Sequence, residues 1–113
     1  MRNVEASGES GCAQPVVTVF RSRLREEHER EYSDMAARMV ELAASIPGFV
    51  EIKSFTADDG ERVSIVTFES IEAHKAWRDH PEHRAAQAAG RERFYSEYQI
   101  WVCEAPAERA FKA

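Results

Sequence analysis

The stretch "VELAASIPGFVEIKSFTADDGERVSIVTFES", residues 40–70, decides the fold. Its opening residues complete a helical pattern. Tyr32, Met35, Ala36, Met39, Leu42, Ala43 and Ile46 recur at three and four residues with Glu, Arg and Asp between them, which predicts an amphipathic helix of about five turns after Arg25. Pro47 and Gly48 stop it. The period then changes to that of strands. "FVEIKSF" (49–55) and "RVSIVTF" (62–68) are rich in β-branched and aromatic residues and flank "TADDGE", whose Asp-Gly pair marks a hairpin turn. Ser70 offers an N-cap for a second helix.

Working outward, "VVTVFRSRL" (16–24) reads as a strand apolar on both faces near its start, hence covered on both sides. The second helix runs from Ile71 to about Asp79. Pro81 interrupts it and serves as the first residue of a continuing segment to Ala89, with Gly90 as the stop. "YSEYQIWVCE" (95–104) alternates and is the last strand. The order βαββαβ predicts an α+β, ferredoxin-like domain, a four-stranded antiparallel sheet with two helices on one face. Because both faces of the sheet are substantially apolar, the uncovered one is expected to meet a second copy, giving a two-fold homodimer.

A chain of 113 residues is long enough for one core and too short for two. Residues 1–14, rich in Gly, Ser and Glu and without periodicity, are expected to be a flexible arm; the domain spans 15–105 and a tail 106–113. A net charge of -5 gives no basic footprint, so a nucleic-acid partner is not expected, although Arg84, Arg91 and Arg93 form a local basic run that suits a small anion. No segment approaches the roughly 20 apolar residues of a membrane span, and the leader has no apolar signal core, so a cytoplasmic location is expected. Cys12 and Cys103 fit neither a disulfide framework nor a zinc spacing and are expected to be free thiols. The run "REEHEREYSD" (25–34) reads as the solvated face of the first helix, its acids suited to the helix dipole.

The helix "MAARMVELAASIPGFVEIKSF", with its Pro-Gly-Phe approach to the second strand, the strand ending "TFES" and the segment "AHKAWRDHPEHRAAQAAGRERFYSEYQIWV" together resemble the antibiotic biosynthesis monooxygenase superfamily of dimeric α/β barrels. The resemblance covers residues 16–104. It implies this fold and a choice of activities, among them oxygenation of quinols and anthrones without metal or flavin, haem degradation and isomerisation. Haem-degrading members resemble the chain at Trp77, but Gln87 stands where their axial histidine would be, and Phe20 or Arg21 where their asparagine would be. Anthrone oxygenases place an asparagine, a tryptophan and a tyrosine where this chain has Ser64, Phe68 and His74. No haem or other cofactor is therefore expected.

The segment "AWRDHPEHRAAQAAGRERFY" (76–95) carries the chemistry-bearing side chains. His74, His80 and His83 lack carboxylate or thiol partners at ligand spacing, and Pro81 breaks the regular geometry between them, so helix-end histidines are expected rather than a metal site. His83, Gln87 and Arg91 recur at every fourth residue, a polar stripe where a core stripe would be aliphatic. Two readings stand side by side. In one, His83 and Gln87 bond backbone at the kink, Arg91 pairs with Glu92 or Glu97, and Trp77 is core. In the other, the stripe lines a cavity between helices and sheet, walled by Phe20, Phe68, Trp77, Phe94 and Tyr98. In the second reading His83 or His74 is the base that deprotonates a small aromatic phenol, quinol or anthrone, and Arg91, Gln87 or Trp77 holds the developing charge. A ligand-binding dimer without catalysis shares the same fold.

Overall fold

A computed structural model describes residues 14–113, so the leader with Cys12 lies outside the described residues. The chain forms β1 (Val16–Leu24), α1 (Glu29–Ser45), β2 (Phe49–Thr56), β3 (Arg62–Phe68), α2 (Ile71–Arg78), α3 (Pro81–Ala89), a π-helical turn (Gly90–Phe94) and β4 (Tyr95–Glu104). The strands make one antiparallel sheet in the order β2-β3-β1-β4. This is the expected α+β, ferredoxin-like architecture, with one refinement. The second helix is divided, so three helices and a wide turn cover the sheet.

The helix ends follow local chemistry. α1 starts later than Arg25, because residues 25–28 form a turn that closes at His28 in the left-handed region, φ 63. After α1, Gly48 adopts φ 95, and a Cβ there would stand 2.7 Å from that of Ala73, so only glycine lets the loop approach α2. Its carbonyl accepts the Glu69 N–H at 2.8 Å, tying the start of β2 to the start of α2. Ser70 caps α2 by accepting from the Ala73 N–H at 3.1 Å. His80 Nδ1 accepts from the Glu82 N–H at 3.1 Å and caps α3, whose first residue is Pro81.

Gly90 differs from expectation. It does not end the helix with a left-handed residue but keeps right-handed angles (φ −60, ψ −48) and passes into the π-helical turn, closed by the Tyr95 N–H to the Gly90 carbonyl. Its lack of a side chain serves packing. A Cβ at Gly90 would lie 2.5 Å from Cε2 of Tyr95, whose ring rests on the glycine.

Facing the helices, β3 grades from apolar to polar through Phe68, Val66, Ser64 and Arg62, and β1 runs Val16, Thr18, Phe20 and Ser22 in register with it. The core gathers at the apolar end, where Val66 and Phe68 pack with Leu42, Ala43, Ala73 and Trp77. The other face is uncovered. Val19 pairs there with Ile65 on one side and Trp101 on the other, and the Trp101 side chain is 48% exposed. Arg21 bonds Glu61 at 2.8 Å and Arg23 bonds Asp59 at 2.8 Å along its margin. No helix among the described residues is long and apolar enough to cross a membrane.

Candidate functional site

Where the sheet turns polar, α1 and α3 stand away from it and leave a cavity of about 290 Å³. Its floor is Thr18 and Phe20 of β1, Ser54 of β2, Ser64 and Val66 of β3, and Tyr98 and Ile100 of β4. Met35 and Met39 of α1 form one wall; His74 and Trp77 of α2 with His83 and Gln87 of α3 form the other. The position of α3 is fixed from α1, since Arg38 Nη2 donates to Glu82 Oε1 at 2.9 Å. Aromatic rings close one end. Phe20 lies 5.3 Å from Tyr95 and 5.6 Å from Tyr98, and Tyr32 lies 6.0 Å from Tyr95, all at tilted or edge-on angles. Flat faces of this kind orient a flat ligand.

Polar groups punctuate these walls. His83 packs on Trp77 with ring centroids 4.2 Å apart, and its Nδ1 lies 3.3 Å from the Arg78 carbonyl oxygen. A carbonyl only accepts, so Nδ1 carries the proton and Nε2 keeps a free lone pair. Burial pulls the His83 pKa below the ordinary histidine value, opposed by that bond to Arg78. The imidazole is therefore a neutral base near pH 7. Burial also lowers the pKa of His74, and Arg78 adds to the effect. Burial, then the neighbouring Tyr32, pushes the Tyr95 phenol up, so it remains a hydrogen-bond donor across the physiological range. The hydroxyls of Ser54 and Ser64 bond each other at 2.7 Å across β2 and β3. Arg62 joins the lining with its guanidinium 5.7 Å from the centre of the Tyr32 ring, and no carboxylate pairs with it among the described residues.

The cavity brings together Phe20, His74, Trp77, His83, Gln87 and Tyr98 from the residues singled out in the sequence. Arg91, Phe68 and Phe94 are elsewhere. The stripe His83–Gln87–Arg91 assumes α-helical spacing, and the π-helical turn that begins at Gly90 carries Arg91 off that face into solvent. Phe68 is fully buried behind Trp77, 5.4 Å between ring centroids, as core. Phe94 packs under Tyr32 at 5.7 Å and borders a separate hollow beside Leu24 and residues 25–29. The kink reading holds for His83, whose ring bonds the Arg78 carbonyl, and it coexists with the cavity reading. Trp77 likewise is both core and lining. Among the described residues no three His, Cys, Asp or Glu side chains converge as a metal group.

Arg62, Tyr32, Tyr95 and Thr18 were not singled out, although their signal was present. Arg62 has the strand parity of Ser64, Val66 and Phe68, and an arginine on the inward parity of a half-buried strand is a charge directed beneath the helices.

The sequence profile of the family described as Antibiotic biosynthesis monooxygenase matches residues 15–89. A protein of Bacillus subtilis (strain 168), the uncharacterized protein YqjZ, is 35% identical over 98 residues, covering 87% of this chain and 86% of its own. Among solved structures, Rv0793 from Mycobacterium tuberculosis superposes with a TM-score of 0.74 at 20% identity, over 87% of this chain and all of the other. A mutant of SnoaB, a cofactor-independent oxygenase from Streptomyces nogalater, superposes with a TM-score of 0.74 at 19% identity, over 89% of this chain and all of its own. At these identities the structural likeness speaks for the fold.

Proposed function

Because the chain belongs to the antibiotic biosynthesis monooxygenase family, we propose that it is a cofactor-independent monooxygenase that oxidises a small aromatic phenol, quinol or anthrone with molecular oxygen. One observation carries the reading. A neutral, half-buried imidazole, His83, lines an aromatic cavity with Nδ1 fixed by a backbone carbonyl and Nε2 free to take a proton. Removing the acidic proton, a ring C–H of an anthrone or the O–H of a phenol or quinol, leaves an electron-rich anion that reduces oxygen directly. Carbon–oxygen bond formation and protonation give a hydroperoxide, and its loss of water leaves a new carbonyl on the attacked carbon, two hydrogens of the substrate departing with the second oxygen atom as water. The developing oxyanion needs donors that are already in place. Arg62 and the Tyr95 phenol, at the polar end of the cavity, supply them, and Arg91 has no role. SnoaB, with the same fold, is a cofactor-independent oxygenase, which supports the class of reaction.

The protein is proposed to work as a homodimer through the open sheet face, where Val19, Ile65 and Trp101 form an apolar patch that a second copy would cover.

The test is oxygen uptake by the metal-chelated protein with an anthrone and with a hydroquinone, against the uncatalysed rate. Uptake that depends on enzyme concentration and places an atom of molecular oxygen in the carbonyl product supports the reading. Binding of the same compounds without uptake would favour the second reading, a non-catalytic ligand-binding dimer. The feature in its favour is Phe68, which stands at the strand position of the oxygenases' tryptophan and is buried outside the cavity.

A further inference from the structure

The cavity differs in charge from the protein around it. The chain has a net charge of -5, yet among the described residues no Asp or Glu lines the cavity, whereas Arg62 and Arg78 both do. Arg78 is neutralised, since its Nε and Nη2 donate to the two carboxylate oxygens of Asp79 at 2.9 and 3.0 Å. Arg62 is not. The other partly buried arginines have carboxylate partners, Arg21 with Glu61, Arg23 with Asp59 and Arg93 with Glu31. The hairpin explains the exception. Asp59 and Glu61, the acids beside Arg62 in sequence, are held by Arg23 and Arg21, whose parity on β1 is that of the open face. On the covered face the Arg62 guanidinium lies 5.7 Å from the centre of the Tyr32 ring, a contact that orients a cation without taking up its N–H donors. The residue keeps part of its surface accessible, as contact with a ligand requires. Burial pushes the Tyr95 phenol up and Arg62 opposes that shift, so the cation and this donor share one end of the cavity. With both cavity histidines held neutral by burial, Arg62 leaves the cavity with one unbalanced positive charge.

We propose that Arg62 is the specificity-determining residue of the cavity and binds the carboxylate of a hydroxylated aromatic acid. The proposal deepens, and rests on, the reading of this cavity as a site for small aromatic molecules. One unbalanced cation suits a monoanion, and a planar guanidinium meets a carboxylate edge to edge through two parallel N–H bonds. A phosphate dianion would keep a charge without a partner. Placing the carboxylate beside the phenolic oxygen joins this role to the stabilisation of the developing oxyanion. A guanidinium has five N–H donors, so two hold the carboxylate while another, with the Tyr95 phenol, meets the oxygen that gains charge. The aromatic rings at the same end of the cavity then take the flat frame of the acid.

The test is calorimetric titration of the whole protein, under nitrogen, with 1-hydroxy-2-naphthoate and with 1-naphthol, the same frame without the carboxylate. The parent should bind the acid at least about tenfold more tightly than the naphthol, the scale of a hydrogen bond to a charged group. Arg62→Gln should abolish that preference. Arg62→Lys, which keeps the charge and loses the planar fork, should retain part of it. Arg91→Gln removes the same charge from a residue outside the cavity and should leave the preference as it is in the parent. The proposal is overturned if the parent does not prefer the acid, if Arg62→Gln keeps the parent's preference, or if Arg91→Gln loses as much as Arg62→Gln. Binding of 1-naphthol with no preference for the acid removes the role of Arg62 alone and leaves the aromatic site standing. Failure of both compounds to bind at millimolar concentration overturns the two together. Oxygen is absent from the titration, so a preference that depends on Arg62 stands whether or not the protein proves to be an oxygenase.

Discussion

The two faces of the sheet are made from the same strands and solve different problems. On the covered face, apolar residues collect at one end as a core around Phe68, while toward Arg62 the same strands present serines, tyrosines and an arginine to a cavity. On the open face the order is reversed across the sheet, an apolar centre of Val19, Ile65 and Trp101 with ion pairs at the margin. Residue by residue along each strand the side chains thus alternate between the covered face, with its core end and its cavity end, and the apolar patch of the open face. Parity separates the two faces, and position along the strand separates core from cavity.

The largest effect should come from the core end. Phe68→Ala is expected to cost about 3–5 kcal/mol, read from the denaturant midpoint, because a fully buried ring leaves a cavity the neighbours cannot fill. Ile65→Ala, on the open face, should cost far less in the dissociated protein. Equal losses at every protein concentration would erase the distinction between the faces.

Next in size is the cavity end. His83→Ala should leave the fold nearly intact yet slow oxygen uptake on the order of a hundredfold, the scale of a lost general base. His74→Ala in the same assay sharpens the assignment, and a parent-like rate for His83→Ala would pass the role to His74 or remove it.

The open face should respond in assembly rather than in folding. Sedimentation of the parent at micromolar concentration should give about twice 12.8 kDa, and Trp101→Ala should weaken association by roughly 2 kcal/mol, as a central aromatic in an interface does. A parent that sediments as a monomer removes the interface and with it the contrast.

The smallest effect is in pH. Both cavity histidines have pKa values below the ordinary 6.5, so the unfolded chain takes up protons that the folded one refuses. Stability should then hold above about pH 6.5 and fall as pH drops below it toward the depressed folded values. Activity should follow the same direction, since protonation removes the base. His83→Gln with His74→Gln should flatten the stability profile, and an unchanged slope would assign it to the carboxylates.

Much of this was legible in the sequence, for identifiable reasons. The β1, β3 and β4 bounds, the Ser70 cap and Pro81 at the start of α3 rest on local chemistry that a short window contains. The cavity's composition was only half legible. Arg62 became visible once the register of β3 against β1 was known, because parity alone does not say which end of a strand lies under the core. Arg91 lies off the cavity because the helix widens into a π-helical turn at Gly90, where the Tyr95 ring rests on the glycine, a departure from 3.6-residue spacing that periodicity does not record. Trp77 resisted a single label because one side chain serves both core and cavity.

The strand order has a kinetic consequence. β1 precedes the other strands in the chain yet lies between β3 and β4, and Val16 pairs with Glu104, close to the far end of the sequence. During synthesis, α1 and the β2–β3 hairpin have all their local partners early, whereas one edge of β1 waits for the last strand to emerge. That strand also brings Tyr95, Tyr98 and Ile100, so the cavity is completed last. An interrupted or slowly translated chain would hold a formed hydrophobic core and an unpaired strand edge at the same moment, the state in which self-association competes with completion.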